Sequence, residues 1–170
     1  MKKYELTEET KVISGKTLFR IRALRSFGDI KAGDLGGFIE NERNLSHGGN
    51  AWVGDNAQVG GNAEVYGDAE VYGDARVDGD AWVGGYARVN GDGLINSNND
   101  YLCEQGLGSR NRSASFFKCK DGHIHVLCGC FSGNLDEFEN KVKEEHGNSK
   151  YSKEYLGFIE VVKTHFEVRQ

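Results

Sequence analysis

Between residues 49 and 96 the chain repeats one six-residue phrase eight times. Valine recurs at positions 53, 59, 65, 71, 77, 83 and 89, and Ile95 closes the series. Alanine stands two residues before each valine, at 51, 57, 63, 69, 75, 81 and 87. Gly, Asp or Asn fills nearly every position two and three after the valine. Six residues are too few for a helical unit but fit one short strand and one turn. Valine suits a core and alanine a tight corner, while Gly, Asn and Asp tolerate left-handed backbone. The 24 glycines come without a single proline, which excludes collagen and argues for regular turns. A chain patterned this way must coil.

The phrase V-x-G-D-A-x resembles the hexapeptide repeat of left-handed parallel β-helix proteins, in which three hexads make one triangular coil. The resemblance implies left-handed coils of eighteen residues and a homotrimer packed along the helix axes. Neighbouring coils then stack at roughly 4.8 Å. Val53, Val71 and Val89 should form one inner column, Val59, Val77 and Ile95 a second, Val65 and Val83 a third. Outside, Trp52 lines up with Glu70 and Arg88, with Tyr72 diagonal to it. Glu64 and Trp82 share a second face with Tyr66, and Gln58 and Arg76 a third. Two faces are thus expected to expose large aromatic side chains, for subunit contact first and a ligand groove second. Upstream, GGFIEN and ERNLSH read as degenerate hexads, with Ile39 and Leu45 in the alanine slot and His47 in the valine slot.

The flanks read as caps. Residues 1–32 hold two strand-like runs, YELTEETKVI and KTLFRIRAL, joined by a Ser14-Gly15 turn. Ser-Gly-Lys-Thr at 14–17 is no phosphate-binding loop, because Thr10 replaces the required glycine and no helix pattern follows. Residues 33–96 form the repeat unit and 97–170 a small α+β module. There RSASFFKCK and HIHVLCGCF flank an Asp121-Gly122 turn as a hairpin. Asn134 and Glu137 make a capping box for a helix over LDEFENKVKEEH, and residues 151–166 give a second helix. The tail, with GSRNRSASFF and CGCFSG-LDEF, and the N-terminal RIRAL…GDLGGFIE also resemble hexapeptide-repeat proteins of bacteriophages and prophages. The expected fold class is mainly β: a left-handed parallel β-helix with an N-terminal hairpin cap and a C-terminal α+β module.

The net charge of −5 is unevenly spread. Residues 1–31 carry eight Lys/Arg against four Asp/Glu, residues 32–108 three against thirteen, and residues 109–170 ten against nine. An acidic barrel is a poor general nucleic-acid binder, which needs a continuous basic face. No apolar run approaches a membrane span, and the start lacks a signal-peptide core. The expected location is the cytoplasm, with Cys103, Cys119, Cys128 and Cys130 reduced.

Chemistry is sparse in the repeat. Acyltransferases with such repeats use a histidine base, but none lies between residues 49 and 96, and His47 is the one candidate. The three-histidine zinc site of carbonic anhydrases on this fold is missing too. Cys119, His123, His125, Cys128 and Cys130 cluster in the tail without a familiar zinc spacing. Strand alternation puts Ile124, Val126, Cys128 and Cys130 on one face, so the cysteines are expected under the helices and the histidines outside, with no metal and no cofactor. Gly108-Ser109-Arg110-Asn111-Arg112 suits an anion, since Arg offers forked donors and glycine frees backbone amides. The expected activity is non-enzymatic: trimeric binding of an anionic, nucleotide-like signal of host immunity by Ser109, Arg110, Asn111 and Arg112 with Trp52, Tyr72 and Trp82. A protein-binding inhibitor of a host factor, a structural phage component and an acyltransferase are the alternatives.

Overall fold

The computed structural model describes residues 1–168. β1 (Tyr4–Ile13) and β2 (Lys16–Ala23) form an antiparallel hairpin around Ser14 and Gly15, both left-handed. β2 pairs antiparallel with β3 (Leu35–Ile39), which enters the first coil. Eight two-residue strands then follow at a spacing of six. They are β4 (Trp52–Val53), β5 (Gln58–Val59), β6 (Glu64–Val65), β7 (Glu70–Val71), β8 (Arg76–Val77), β9 (Trp82–Val83), β10 (Arg88–Val89) and β11 (Leu94–Ile95). Every pairing among them is parallel and joins residues eighteen apart, the geometry of a β-solenoid.

Every repeat valine and alanine is buried, at 0–1% exposure. Each valine removed from water contributes about 1.5 kcal/mol. The second residue after the valine is the left-handed corner, occupied by Gly61, Gly67, Gly73, Gly79, Gly85 and Gly91. At Gly67 a Cβ would lie 3.1 Å from the backbone nitrogen of Gly85 in the next coil, so close stacking and positive φ both demand glycine. Asp55 alone fills that corner with a side chain, which accepts a hydrogen bond from Gly73 N at 3.1 Å.

The first coil departs from the expected register. Ile39 pairs with Val59 and Leu45 bridges to Val65, so both stand in the valine slot rather than the alanine slot. The cause is local: Leu45 to Val53 spans eight residues instead of six, which makes this coil two residues longer. Two of the three inner columns therefore gain a member, Ile39 above Val59, Val77 and Ile95, and Leu45 above Val65 and Val83. His47 falls in the extra length and does not enter the core. Its ring stacks on Tyr4 at 4.4 Å, and its Nδ1 accepts from Lys3 N at 3.2 Å.

The other end is closed by a four-stranded antiparallel sheet, β12 (Tyr101–Leu107), β13 (Arg112–Lys118), β14 (Ile124–Cys128) and β15 (Phe131–Asn134). Alternation splits its side chains between two cores. Phe117, Cys119 and Leu127 join the solenoid interior. Ala114, Phe116, Ile124, Val126 and Cys128 face two helices, α1 (Leu135–His146) and α2 (Lys150–His165). The Asn134–Glu137 capping box opens α1 as expected, and Gly147 closes it with φ 50°. α2 buries Tyr155, Ile159 and Val162. Ser115 Oγ accepts from Arg88 N at 2.8 Å and Lys118 Nζ donates to Asp100 at 2.9 Å, so the sheet is fastened to the last coil. Among the described residues no helix is long and apolar enough to cross a membrane.

Candidate functional site

The loop from Gly108 to Arg112 leads from β12 into β13 and faces the helical layer. Gly108 must be glycine, since its φ is 68° and a Cβ would sit 2.3 Å from the Tyr155 hydroxyl. Asn111 tops the turn with φ 48°, as an Asn tolerates. Around the loop lies a pocket of ≈ 530 Å³, lined by Ser109, Arg110 and Arg112, by Cys128, Cys130, Phe131 and Ser132, and by helix residues that include Phe138, Lys141, Glu145, His146 and Tyr155. Its size suits a drug-sized or nucleotide-sized ligand.

Three cations, Arg110, Arg112 and Lys141, meet one carboxylate, Glu145, in that wall. Lys141 is tied to Glu145 at 3.2 Å and to Glu144 at 3.4 Å. No ion pair among the described residues involves Arg110 or Arg112. Neither arginine is therefore spent on a carboxylate of the barrel. Arg112 lies along the backbone of Gly129, where a Cβ would collide with its guanidinium, and is half-buried while Arg110 is exposed.

The apolar wall is aromatic. Phe138 meets Phe131 at 5.1 Å and stands edge-on to Tyr155 at 5.8 Å, and His146 stacks on Tyr155 at 5.5 Å. The Tyr155 hydroxyl donates to Leu107 O at 3.4 Å, and burial pushes its pKa up to about 12. Burial likewise raises the Cys128 thiol. Neither group is poised as a base or nucleophile near neutral pH.

The other expected binding residues lie elsewhere. Asn111 opens on a separate hollow with Lys150, Tyr151 and Glu154. Trp52 is only 2% exposed, so its expected place on an open face is corrected. The segment between β2 and β3 folds over it, and Phe27 meets its ring edge-on at 5.5 Å. Tyr72 is half-buried with its ring against Gly54 of the coil above, where a Cβ would sit 2.3 Å from Cε1. Of the named aromatics only Trp82 is open, at 56% exposure, with Tyr66 at 41% on the same face. Trp82 lines a shallow hollow with Arg43, Asn62, Glu64, Asp80 and Asn98. One face, not two, presents aromatic surface.

The tail cysteines separate. Cys128 lies under the helices as expected, but Cys119 sits on the solenoid side and Cys130 is exposed. The turn at Gly129, φ 60°, ends the strand alternation on which the expectation for Cys130 rested. His125 is half-buried against Phe117 at 5.3 Å rather than turned outward. Cys119, His123 and His125 each bring one ligand atom within 4.8 Å of the others.

Sequence reasoning found the arginine loop and missed Phe131, Phe138 and Tyr155 as its partners. Their apolar spacing signalled burial, and only the packing of α1 and α2 on the sheet brings their rings to the arginines. No family model matches this chain, and no curated protein matches it.

Proposed function

We propose that the protein is a non-enzymatic binding protein whose C-terminal pocket captures a small anionic molecule with an aromatic part, of the nucleotide class. The observation that carries this reading is the pairing of Arg110 and Arg112, neither engaged by a carboxylate, with the aromatic wall of Phe131, Phe138 and Tyr155. Forked guanidinium donors suit phosphate, and the half-buried Phe131 ring, backed by Phe138 and Tyr155, suits contact with a base. His47, which acyl transfer would need as a base, is instead engaged by Tyr4 and Lys3. The resemblance of both flanks to phage-type proteins gives the reading its setting: sequestration of a host immune signal by a cytoplasmic homotrimer.

Calorimetric titration with cyclic dinucleotides and ADP-ribose tests it. Arg110→Ala and Arg112→Ala should each weaken binding ten- to a hundred-fold, because a charge-assisted contact is worth ~1.5–3 kcal/mol. Lysine at either position should restore only part, since a point charge lacks the fork. Failure of the intact protein to bind any such molecule overturns the reading. A second reading, docking on a host protein or a second copy of this chain, is favoured by the exposed Trp82 and Tyr66. Sedimentation near three times 18.8 kDa, lost in Trp82→Glu, would assign that face to the trimer.

A further inference from the structure

We propose that Cys119, His123 and His125 form a binding site for a divalent transition ion of the zinc class, at the junction between the solenoid and the C-terminal sheet. The three residues flank the tight turn between β13 and β14. Cys119 N donates to His123 O at 2.9 Å and Gly122 N to Cys119 O at 2.9 Å, with Gly122 left-handed at φ 89°. That closed turn brings the thiol and the two imidazoles to within 4.8 Å of one another. One thiolate and two imidazoles are the borderline-soft donor set that selects zinc over calcium or magnesium.

Each imidazole has a polar neighbour on one ring nitrogen. His123 Nδ1 meets the Asp121 carboxylate at 2.5 Å, and His125 Nε2 meets Ser132 Oγ at 2.9 Å. Such outer partners fix the tautomer and ring orientation of metal-bound histidines. Burial, and then the nearby Asp121 and Asp92 carboxylates, push the Cys119 thiol up to about 11, so a bound cation has to displace that proton. Metal–sulfur and metal–nitrogen bonds of about 2.3 and 2.0 Å place tetrahedral donors roughly 3.3–3.5 Å apart, within the 4.8 Å span that these three already share. Binding releases the thiol proton to solvent and leaves the fourth tetrahedral position to water.

The site has a structural consequence. Cys119 bridges to Gly93, and Lys120 donates to Asp92 at 3.1 Å and to Asp74 O at 3.1 Å. A metal here would brace the hairpin turn already docked on the last two coils.

Titration of the reduced, metal-free protein with Zn2+ should give one ion per chain, and Co2+ should give tetrahedral visible absorption with a thiolate charge-transfer band. Cys119→Ser should abolish that band, Cys130→Ser should leave it intact, and His123→Ala and His125→Ala should each weaken binding at least tenfold. Because His123 is exposed, His123→Ala should keep the wild-type circular dichroism and metal-free melting temperature while losing the rise in melting temperature that Zn2+ gives the wild type. Co2+ binding without the thiolate band, or Zn2+ affinity unchanged in His123→Ala, would overturn the assignment.

Discussion

Lys16 Nζ lies 2.6 Å from Asp78 Oδ1, a pairing that spans 62 residues and locks the hairpin turn onto the solenoid. Arg76 Nη2 reaches the other carboxylate oxygen at 2.7 Å, and Gly79 N donates at 2.8 Å. Burial by itself would raise the Asp78 pKa. The hydrogen bonds from Lys16, Arg76 and Gly79 overcome it and bring the value down to about 2. A carboxylate with a depressed folded pKa stabilises above its unfolded value of 3.8, and loses that contribution as pH falls toward 2. Asp78→Asn should therefore cost about 2 kcal/mol at pH 7 and flatten the stability curve below pH 4. Urea unfolding at pH 7, 4 and 3 measures both, and an unchanged acid limb would show that the clamp is not formed.

Lys3 titrates the other way. Its side chain is fully buried, with Nζ donating to Ala51 O at 2.7 Å, and burial lowers its pKa from 10.5 to about 8. Between pH 8 and 10.5 the unfolded chain binds the proton that the folded one releases, so stability rises with pH in that window. The stability difference between wild type and Lys3→Met should move toward wild type by up to about 1.4 kcal/mol per pH unit there. Below pH 8 the difference should be flat. A flat difference up to pH 10 would mean that the folded ammonium is hydrated.

The solenoid was legible because its information is periodic: each hexad specifies one strand and one corner, with valine at seven of the eight inward positions and Ile95 at the last. The hairpin cap, the Asp121-Gly122 hairpin and the Asn134 cap were legible from turn and capping residues acting over a few positions. What escaped depends on distance along the chain. Ile39 and Leu45 take the valine slot because of a two-residue excess before Val53, which has no signature in the sequence except the pairing it produces. Nothing in the Trp52 hexad shows that Phe27 will cover the indole. The candidate pocket was half legible, its arginines by type and its aromatic wall only through the packing of two helices on a sheet.

Val71 and Glu70 are adjacent in β7 and face opposite ways. Val71 is completely buried between Val53 and Val89, while Glu70 is half-exposed with a carboxylate oxygen 3.4 Å from Arg88 Nε. Val71→Asp should destabilise by several kcal/mol, because an unpaired carboxylate cannot be solvated inside the column. Glu70→Ala should cost no more than roughly 0.5 kcal/mol, as an exposed pair is worth little. Thermal melts of the two variants measure the difference, and similar losses would contradict the inward–outward register.

Tyr72 and Tyr66 each lay a ring on a glycine of the neighbouring coil, Gly54 and Gly84, where a Cβ would come within 2.3 and 2.1 Å of ring carbons. The geometry is shared, but the room for relief is not. Tyr66 is 41% exposed and can swing into solvent, whereas Tyr72 packs against the solenoid core, and burial pushes its hydroxyl pKa up to about 12. Gly54→Ala should thus cost about 1–3 kcal/mol, the usual penalty of overpacking a site that cannot yield. Gly84→Ala should cost less than half as much, and pairing each with the matching Tyr→Ala should remove most of the Gly54 penalty and little of the Gly84 one. Equal penalties at the two glycines would show that the Tyr72 ring is as free to leave its coil as that of Tyr66.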